Sequence, residues 1–286
     1  MQIVLTRPVA QSHAWGQALQ AAGHSVLHLP LLAINGLEAL ATSPNAAPHA
    51  QAHGLQADLL GAQHAVHNFQ ALMFVSSNAV EHFFKENKGN VSVIWSYIAI
   101  INIVNTQRIR CWATGPGTVA ALLAAGVQAD LIDAPDAQAV QFDAEHLWMA
   151  VKSQVVAGMR LLIVRGAALQ PDGSVVVTGR DWLAQAAQVA GARVLQVASY
   201  LRCPPLWSAE QRAQALAAAE QAIWLFSSSE ALAHLPALLP EANWAAARCV
   251  ATHPRIAQAA HALGFAVVCT SRPAPGEVLA SIKSLA

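Results

Sequence analysis

Met73-Phe-Val-Ser-Ser-Asn-Ala-Val80 has a near copy in Leu225-Phe-Ser-Ser-Ser-Glu-Ala-Leu232. In each, an apolar run ends at a serine pair and passes into a helix-forming stretch, the pattern of a buried strand entering a helix. The likeness spreads outward. Cys111-Trp-Ala-Thr-Gly-Pro116 matches Cys249-Val-Ala-Thr-His-Pro254, and Gly126 and Gly264 follow at the same offset. Gln17-Ala-Leu-Gln-Ala-Ala-Gly-His-Ser-Val26 matches Gln185-Ala-Ala-Gln-Val-Ala-Gly-Ala-Arg-Val194, and Thr6-Arg7 is echoed by Val164-Arg165. Two copies of one unit are therefore expected. Their internal order differs: the unit at 1–34 precedes its partners by most of the chain, whereas its analogue at 158–200 follows them.

The simplest topology for such a permuted internal repeat is an insertion. Domain A is expected from 1–34 and 203–286, with domain B at 35–202 inserted into it. Two crossings, near Leu31–Asn35 and Ser199–Pro204, then form a two-stranded hinge beside a cleft between lobes. Short β-branched runs recur at Ile3–Thr6, Val26–Leu29, Leu72–Val75, Cys111–Thr114, Leu161–Val164, Val194–Val197, Ile223–Phe226, Cys249–Thr252 and Ala266–Cys269. They alternate with Ala/Leu-rich helical stretches, the first at Pro8–Ala22, which predicts an α/β fold with parallel sheets covered on both faces. Asn35–Phe69 lacks a clear period at its start, with a helix expected over Gln56–Val66. Glu86–Gln107 turns to Lys, Asn and Ile and reads as an irregular connection.

A chain of 286 residues that is 55% hydrophobic and 11% charged has ample material for two cores and excludes a disordered polyelectrolyte. Sixteen basic residues balance sixteen acidic ones, so no global field draws the protein to nucleic acid or a membrane. Any anion must be held by local groups. Cys111, Cys203, Cys249 and Cys269 are dispersed without a CxxC pair and read as reduced thiols. Met1 leads directly into a strand rather than a secretion signal, and Val91–Val104 is too short to span a bilayer. A cytoplasmic monomer without a membrane partner is expected.

Ligands of parallel sheets meet the C-terminal strand ends, where helix N-termini present free N–H groups to anions. The candidates at such places are Ser76, Ser77 and Asn78, Gly115 and Thr118, and in the other copy Ser228, Ser229 and Arg255. The same residue types serve equally as helix caps. Arg7 and Arg165 each end an apolar strand, fit for a carboxylate or for a surface ion pair. Tyr200 sits where the inserted domain returns, fit for packing or for proton donation. No GxGxxG follows a strand, Gly115-Pro116-Gly117-Thr118 lacks the spacing and lysine of a phosphate loop, and there is no GxSxG elbow. The pairs His49/His53 and His64/His67 lack a Cys or acidic partner set, so no metal is expected.

Taken in order, Ile3-Val-Leu-Thr-Arg-Pro8, Ala22-Gly-His-Ser-Val26 running to Leu29-Pro-Leu31, the Ser-Ser-Asn-Ala-Val unit, Ala113-Thr-Gly-Pro-Gly-Thr118, Leu162-Ile-Val-Arg-Gly166, Gly179-Arg180 and Tyr200-Leu-Arg-Cys203 resemble the uroporphyrinogen-III synthase family. The likeness runs from Met1 to about Thr270. It implies two Rossmann-like lobes and closure of hydroxymethylbilane to uroporphyrinogen III, with ring D inverted, water released and no cofactor. It also implies that Tyr200 assists departure of the hydroxyl. Ser77, Thr118 and Ser228 or Ser229 match positions that hold substrate carboxylates, and Arg7, Arg165 and Arg180 match family arginines. Three departures stand out: Ala167–Thr178 intervenes before Gly179-Arg180, His253-Pro254-Arg255 replaces the second Gly-Pro-Gly, and Glu86–Gln107 is long and apolar. The rival from another class is a non-catalytic tetrapyrrole- or anion-binding bilobal sensor domain. A nucleotide-binding enzyme is disfavoured by the missing glycine fingerprint.

Overall fold

The computed structural model describes residues 1–41, 49–84, 108–136, 143–170, 172–179 and 181–285. Its strands are β1 (Gln2–Leu5), β2 (Ser25–His28), β3 (Ala33–Gly36), β4 (Ala71–Phe74), β5 (Arg110–Ala113), β6 (Ile132–Asp133), β7 (Arg160–Leu169), β8 (Val175–Val177), β9 (Arg193–Cys203), β10 (Ile223–Phe226), β11 (Arg248–Ala251) and β12 (Val267–Thr270). The helices among the described residues are α1 (Val9–Ala21), α2 (His49–His64), α3 (Ser77–Phe84), α4 (Pro116–Ala124), α5 (Ala144–Val151), α6 (Trp182–Val189), α7 (Ala209–Ala218), the short α8 (Ser229–Ala233) and α9 (Leu235–Leu238), α10 (Pro254–Ala262) and α11 (Pro275–Ser284). The chain divides into two compact units, Met1–Ala33 with Cys203–Ala286, and Ile34–Arg202.

The first unit has a five-stranded sheet in the order β12-β11-β10-β1-β2, parallel throughout. Successive side chains of a strand face opposite sides, and a parallel sheet buries both. Accordingly Ile3, Leu5, Ile223 and Leu225 pack with Leu19, Val278 and Ile282 on one side. Alternate residues Trp224 and Phe226 join Trp244 and Phe265 in an aromatic cluster, with the Trp224–Trp244 ring centroids 5.3 Å apart.

The second unit has a seven-stranded sheet in the order β3-β9-β7-β4-β5-β6, with β8 added antiparallel to β7. Met73, Trp112, Leu161 and Ile163 pack on one face with Leu147 and Val151 of α5 and Leu183 and Ala187 of α6. Alternate residues face α3, where Phe74 meets Phe83 edge-on at 5.6 Å. The segments carrying the two chain crossings, β3 and the end of β9, are neighbours in this sheet.

Most strands fall within a residue or two of their expected ranges. Both α1 and α6 end at a glycine, Gly23 and Gly191, with φ of 84° and 94°. Only glycine reaches that region at no steric cost, so the matched Ala-Gly stretches are matched helix stops. Two expectations need correction. Arg165 does not end its strand: β7 continues to Leu169 because Ala167–Thr178 folds back on it as a hairpin, pairing Ala167 with Val177 and Leu169 with Val175. Arg7 likewise lies beyond the end of β1 at Leu5. The helix expected at Gln56–Val66 is longer, His49–His64. Glu86–Gln107, with Val91–Val104 inside it, lies outside the described residues, as does Arg180. Among the described residues no helix is long and apolar enough to cross a membrane.

Leu161 is fully buried and Val189 is 90% exposed. Leu161→Ala is expected to lower unfolding free energy by about 2–5 kcal/mol. Val189→Ala should change it by no more than about 0.5 kcal/mol. Urea denaturation followed by circular dichroism reads both.

Candidate functional site

In the Ile34–Arg202 unit, the candidates gather where β4 and β9 meet the start of α3. Ser76 follows β4, and its Oγ accepts the Ala79 N–H at 3.1 Å, satisfying one of the open donors of the helix. The same Oγ lies 3.3 Å from the Tyr200 hydroxyl. Tyr200 is 4% exposed, with the His82 ring 5.9 Å away at a 30° tilt. Ser77 and Asn78, in the first turn of α3, are half-buried.

A register break aims this tyrosine. On β7 and β9, Arg165 pairs with Ala198 but Gly166 pairs with Tyr200, so Ser199 has no counterpart on β7. This is a β-bulge. With regular pairing Gly166 would oppose Ser199, and Tyr200 would oppose Ala167 on the other face. The phenol lies directly over Gly166, where an added Cβ would be 2.5 Å from Tyr200 Cζ. Glycine is required there by close approach. Thr178 secures the spot from below, since both its N–H and its hydroxyl donate to the Gly166 carbonyl, at 2.9 and 3.1 Å.

Arg165 is on the opposite face, because adjacent residues of a strand alternate. It is 4% exposed and its guanidinium donates to Asp181 at 2.8 Å. Gly179 packs against it, its notional Cβ 3.1 Å from Arg165 Cζ. Arg165 and Tyr200 are thus not brought together. Gly115 caps α4 in extended backbone that any residue adopts, and the extended His253 takes the same place before α10. Thr118, in the first turn of α4, is buried at 5% exposure.

In the other unit, Ser228 caps α8, its hydroxyl accepting the Ala231 N–H at 3.2 Å. His253 caps α10, its Nδ1 accepting the Arg255 N–H at 3.1 Å. Ser227–Glu230, Thr252, His253, Arg255, Ile256 and Pro273 line a cavity of about 410 Å³. It joins two helix starts, three serines and an exposed arginine to one carboxylate, Glu230. Arg7 lies elsewhere, its guanidinium 5.5 Å from the Trp15 ring centroid, and burial pushes its pKa below the ordinary arginine value. The expected Thr6-Arg7 motif is anchored by Thr6, whose hydroxyl donates to the Leu225 carbonyl at 2.6 Å.

His253, aligned with Gly115 in the repeat, takes the same capping place. Nothing in the one-dimensional pattern marks Pro273 or the bulge at Ser199. None of the four cysteines is in a disulfide, and burial pushes the thiols of Cys111 and Cys249 up to about 12. No group of three or more His, Cys, Asp or Glu suited to a metal occurs among the described residues.

Against known proteins, the family model described as uroporphyrinogen-III synthase HemD matches residues 13–280. The solved uroporphyrinogen-III synthetase of Helicobacter pylori superposes with a TM-score of 0.58 at 13% identity, covering 100% of this chain and 99% of that one. A mutant uroporphyrinogen III synthase of the extremely thermophilic bacterium Thermus thermophilus gives a TM-score of 0.48 at 14% identity, with 99% and 98% covered. No curated protein is significantly similar in sequence. At such identity the first of these structures speaks for the fold, and the family rests on a match that spans nearly the whole chain: this chain belongs to the uroporphyrinogen-III synthase family, the cyclising enzymes of haem biosynthesis.

Proposed function

We propose that the chain is a hydro-lyase that closes hydroxymethylbilane to uroporphyrinogen III, inverting ring D and releasing water. The observation that carries the reading is the buried Tyr200 phenol, held 3.3 Å from the Ser76 hydroxyl at a helix start within a chain of this family. A phenol stays neutral at physiological pH and can give its proton to a departing oxygen. In this reading the Tyr200 hydroxyl protonates the leaving hydroxyl of ring A as its C–O bond breaks and water departs. The azafulvenium that remains is attacked by the substituted carbon of ring D, and the proton lost when the closed macrocycle regains its pyrroles returns to the Tyr200 oxygen. Fragmentation of the spiro intermediate and reclosure invert that ring. Spontaneous closure gives the type I isomer, so the protein's larger contribution is to hold ring D for attack.

Every pyrrole bears an acetate and a propionate. The helix starts at Ser76–Asn78, Gly115–Thr118, Ser228–Ser229 and His253–Arg255 are proposed to take these carboxylates through N–H groups and hydroxyls, with Arg7, Arg165, Arg180 and Arg255 supplying charge. Arg255 is the best supported arginine, being exposed in a cavity lined by three serines. Arg165 already serves Asp181, so its part in binding requires exchange of that partner. The matching strand orders, β12-β11-β10-β1-β2 and β6-β5-β4-β7-β9, support the reading of two copies permuted in chain order. A balanced charge supports a protein without a nucleic-acid partner, and buried free thiols agree with a cytoplasmic setting. A monomer is the simplest state for this reading.

The test is to supply hydroxymethylbilane, oxidise the products and separate the type I and type III isomers by chromatography. Type III in excess is expected; type I alone, at the spontaneous rate, overturns the proposal. Tyr200→Phe should lower kcat for type III by up to about a hundredfold, with KM little changed and more type I product. Arg255→Ala should raise KM by roughly tenfold, the loss of one charge-assisted bond, and leave kcat near its original value. Gly166→Ala should displace the phenol, lower kcat as Tyr200→Phe does, and destabilise the fold by about 1–3 kcal/mol in thermal unfolding.

A further inference from the structure

In a regular strand, consecutive residues face opposite sides of the sheet. Ser199 and Tyr200 break that rule together, for both touch the first turn of α3. The Ser199 hydroxyl donates to the Ala79 carbonyl at 3.2 Å, and the Tyr200 hydroxyl lies 3.3 Å from Ser76 Oγ. The Ala79 N–H in turn donates to that Oγ, so residues 76, 79, 199 and 200 are linked in one loop of contacts. Ser199 is 2% exposed and is the residue that the register break leaves without a counterpart on β7.

We propose that Ser199 is the positioning residue for Tyr200. Its bond to the Ala79 carbonyl ties the bulge of β9 to the start of α3, and so fixes where the phenol stands relative to the Ser76 hydroxyl. Ser199 itself is given no role with the substrate, because its hydroxyl is committed to a backbone carbonyl. The bond fits this role better than one of general stability. Ala79 lies mid-turn in α3, where its carbonyl is also a helical acceptor, so the second bond is not needed to satisfy it. What the bond adds is a fixed distance between two elements. Gly166 complements it by clearing space beneath the ring, and Thr178 holds the Gly166 carbonyl. The proposal rests on the reading of Tyr200 as the proton donor.

The test uses the full chain and two kinds of measurement. The sequence has two tyrosines, Tyr97 and Tyr200, so protein labelled with 3-fluorotyrosine gives two ¹⁹F resonances, assigned with Tyr200→Phe. Ser199→Ala is expected to move or broaden the Tyr200 resonance. It should also lower kcat on the order of tenfold with KM within about twofold, as for a slightly misplaced catalytic group. The type I fraction should rise, and the same substitution in a Tyr200→Phe background should add little. An unmoved Tyr200 resonance, or wild-type kcat and isomer ratio in Ser199→Ala, overturns the positioning role. If Ser199→Ala has no effect while Tyr200→Phe is slow, only this proposal fails. If Tyr200→Phe keeps the wild-type rate and isomer ratio, the reading of Tyr200 fails, and the positioning role with it.

Discussion

A parallel strand cannot follow its neighbour through a tight turn; the chain must cross over, almost always by a helix. That constraint organises both units. With each crossover on the same principle, the C-terminal ends of the central strands and the N-termini of the following helices collect at one edge of each sheet. Ser76, Gly115, Ser228 and His253 all stand there, directly after β4, β5, β10 and β11. The apolar strands behind them contribute little chemistry themselves. They hold the helix starts at fixed spacing, and the free N–H groups of those helices then become a resource for negatively charged groups.

On the proposed reading, such an arrangement would let a chain with no net charge take a substrate rich in carboxylates. Many cations would be needed if charge alone did the work, and their mutual repulsion would load the fold. Backbone N–H groups carry no such penalty, and they are placed by secondary structure rather than by flexible side chains. The cavity beside Ser228 and His253 combines both means, with a single arginine among two helix starts.

The strands and the serine-bearing turns are legible in the sequence because they rest on local rules: apolar runs, caps and glycine stops. Leu72–Val75 is expected and Ala71–Phe74 is found. The hairpin at Ala167–Thr178 is visible only as an interruption, since its short strand Val175–Val177 has no period of its own and forms by pairing with β7. The extra residue at Ser199 is invisible for a different reason. A strand buried on both faces shows no alternation, so a one-residue slip within Val197–Leu201 leaves the apolar pattern unchanged. Arg165 is misread as a strand end for the same cause, as the apolar run gives no sign that the strand continues beyond it.

The insertion topology carries a cost in time as well as in space. Ile3 pairs with Ile223 and Leu5 with Leu225, so β1 meets β2 early but finds its other neighbour, β10, only after more than two hundred residues have followed it. The Ile34–Arg202 unit is continuous and can complete its core while the chain is still being made. During that interval Gln2–Leu5, three of whose four residues are fully buried in the finished protein, has β2 on one edge while the partner of its other edge, β10, is not yet synthesised. The open edge of β1 is thus exposed to misassembly in a window set by the rate of translation. Chaperones that shield nascent apolar segments have their clearest task here, before the last quarter of the chain arrives.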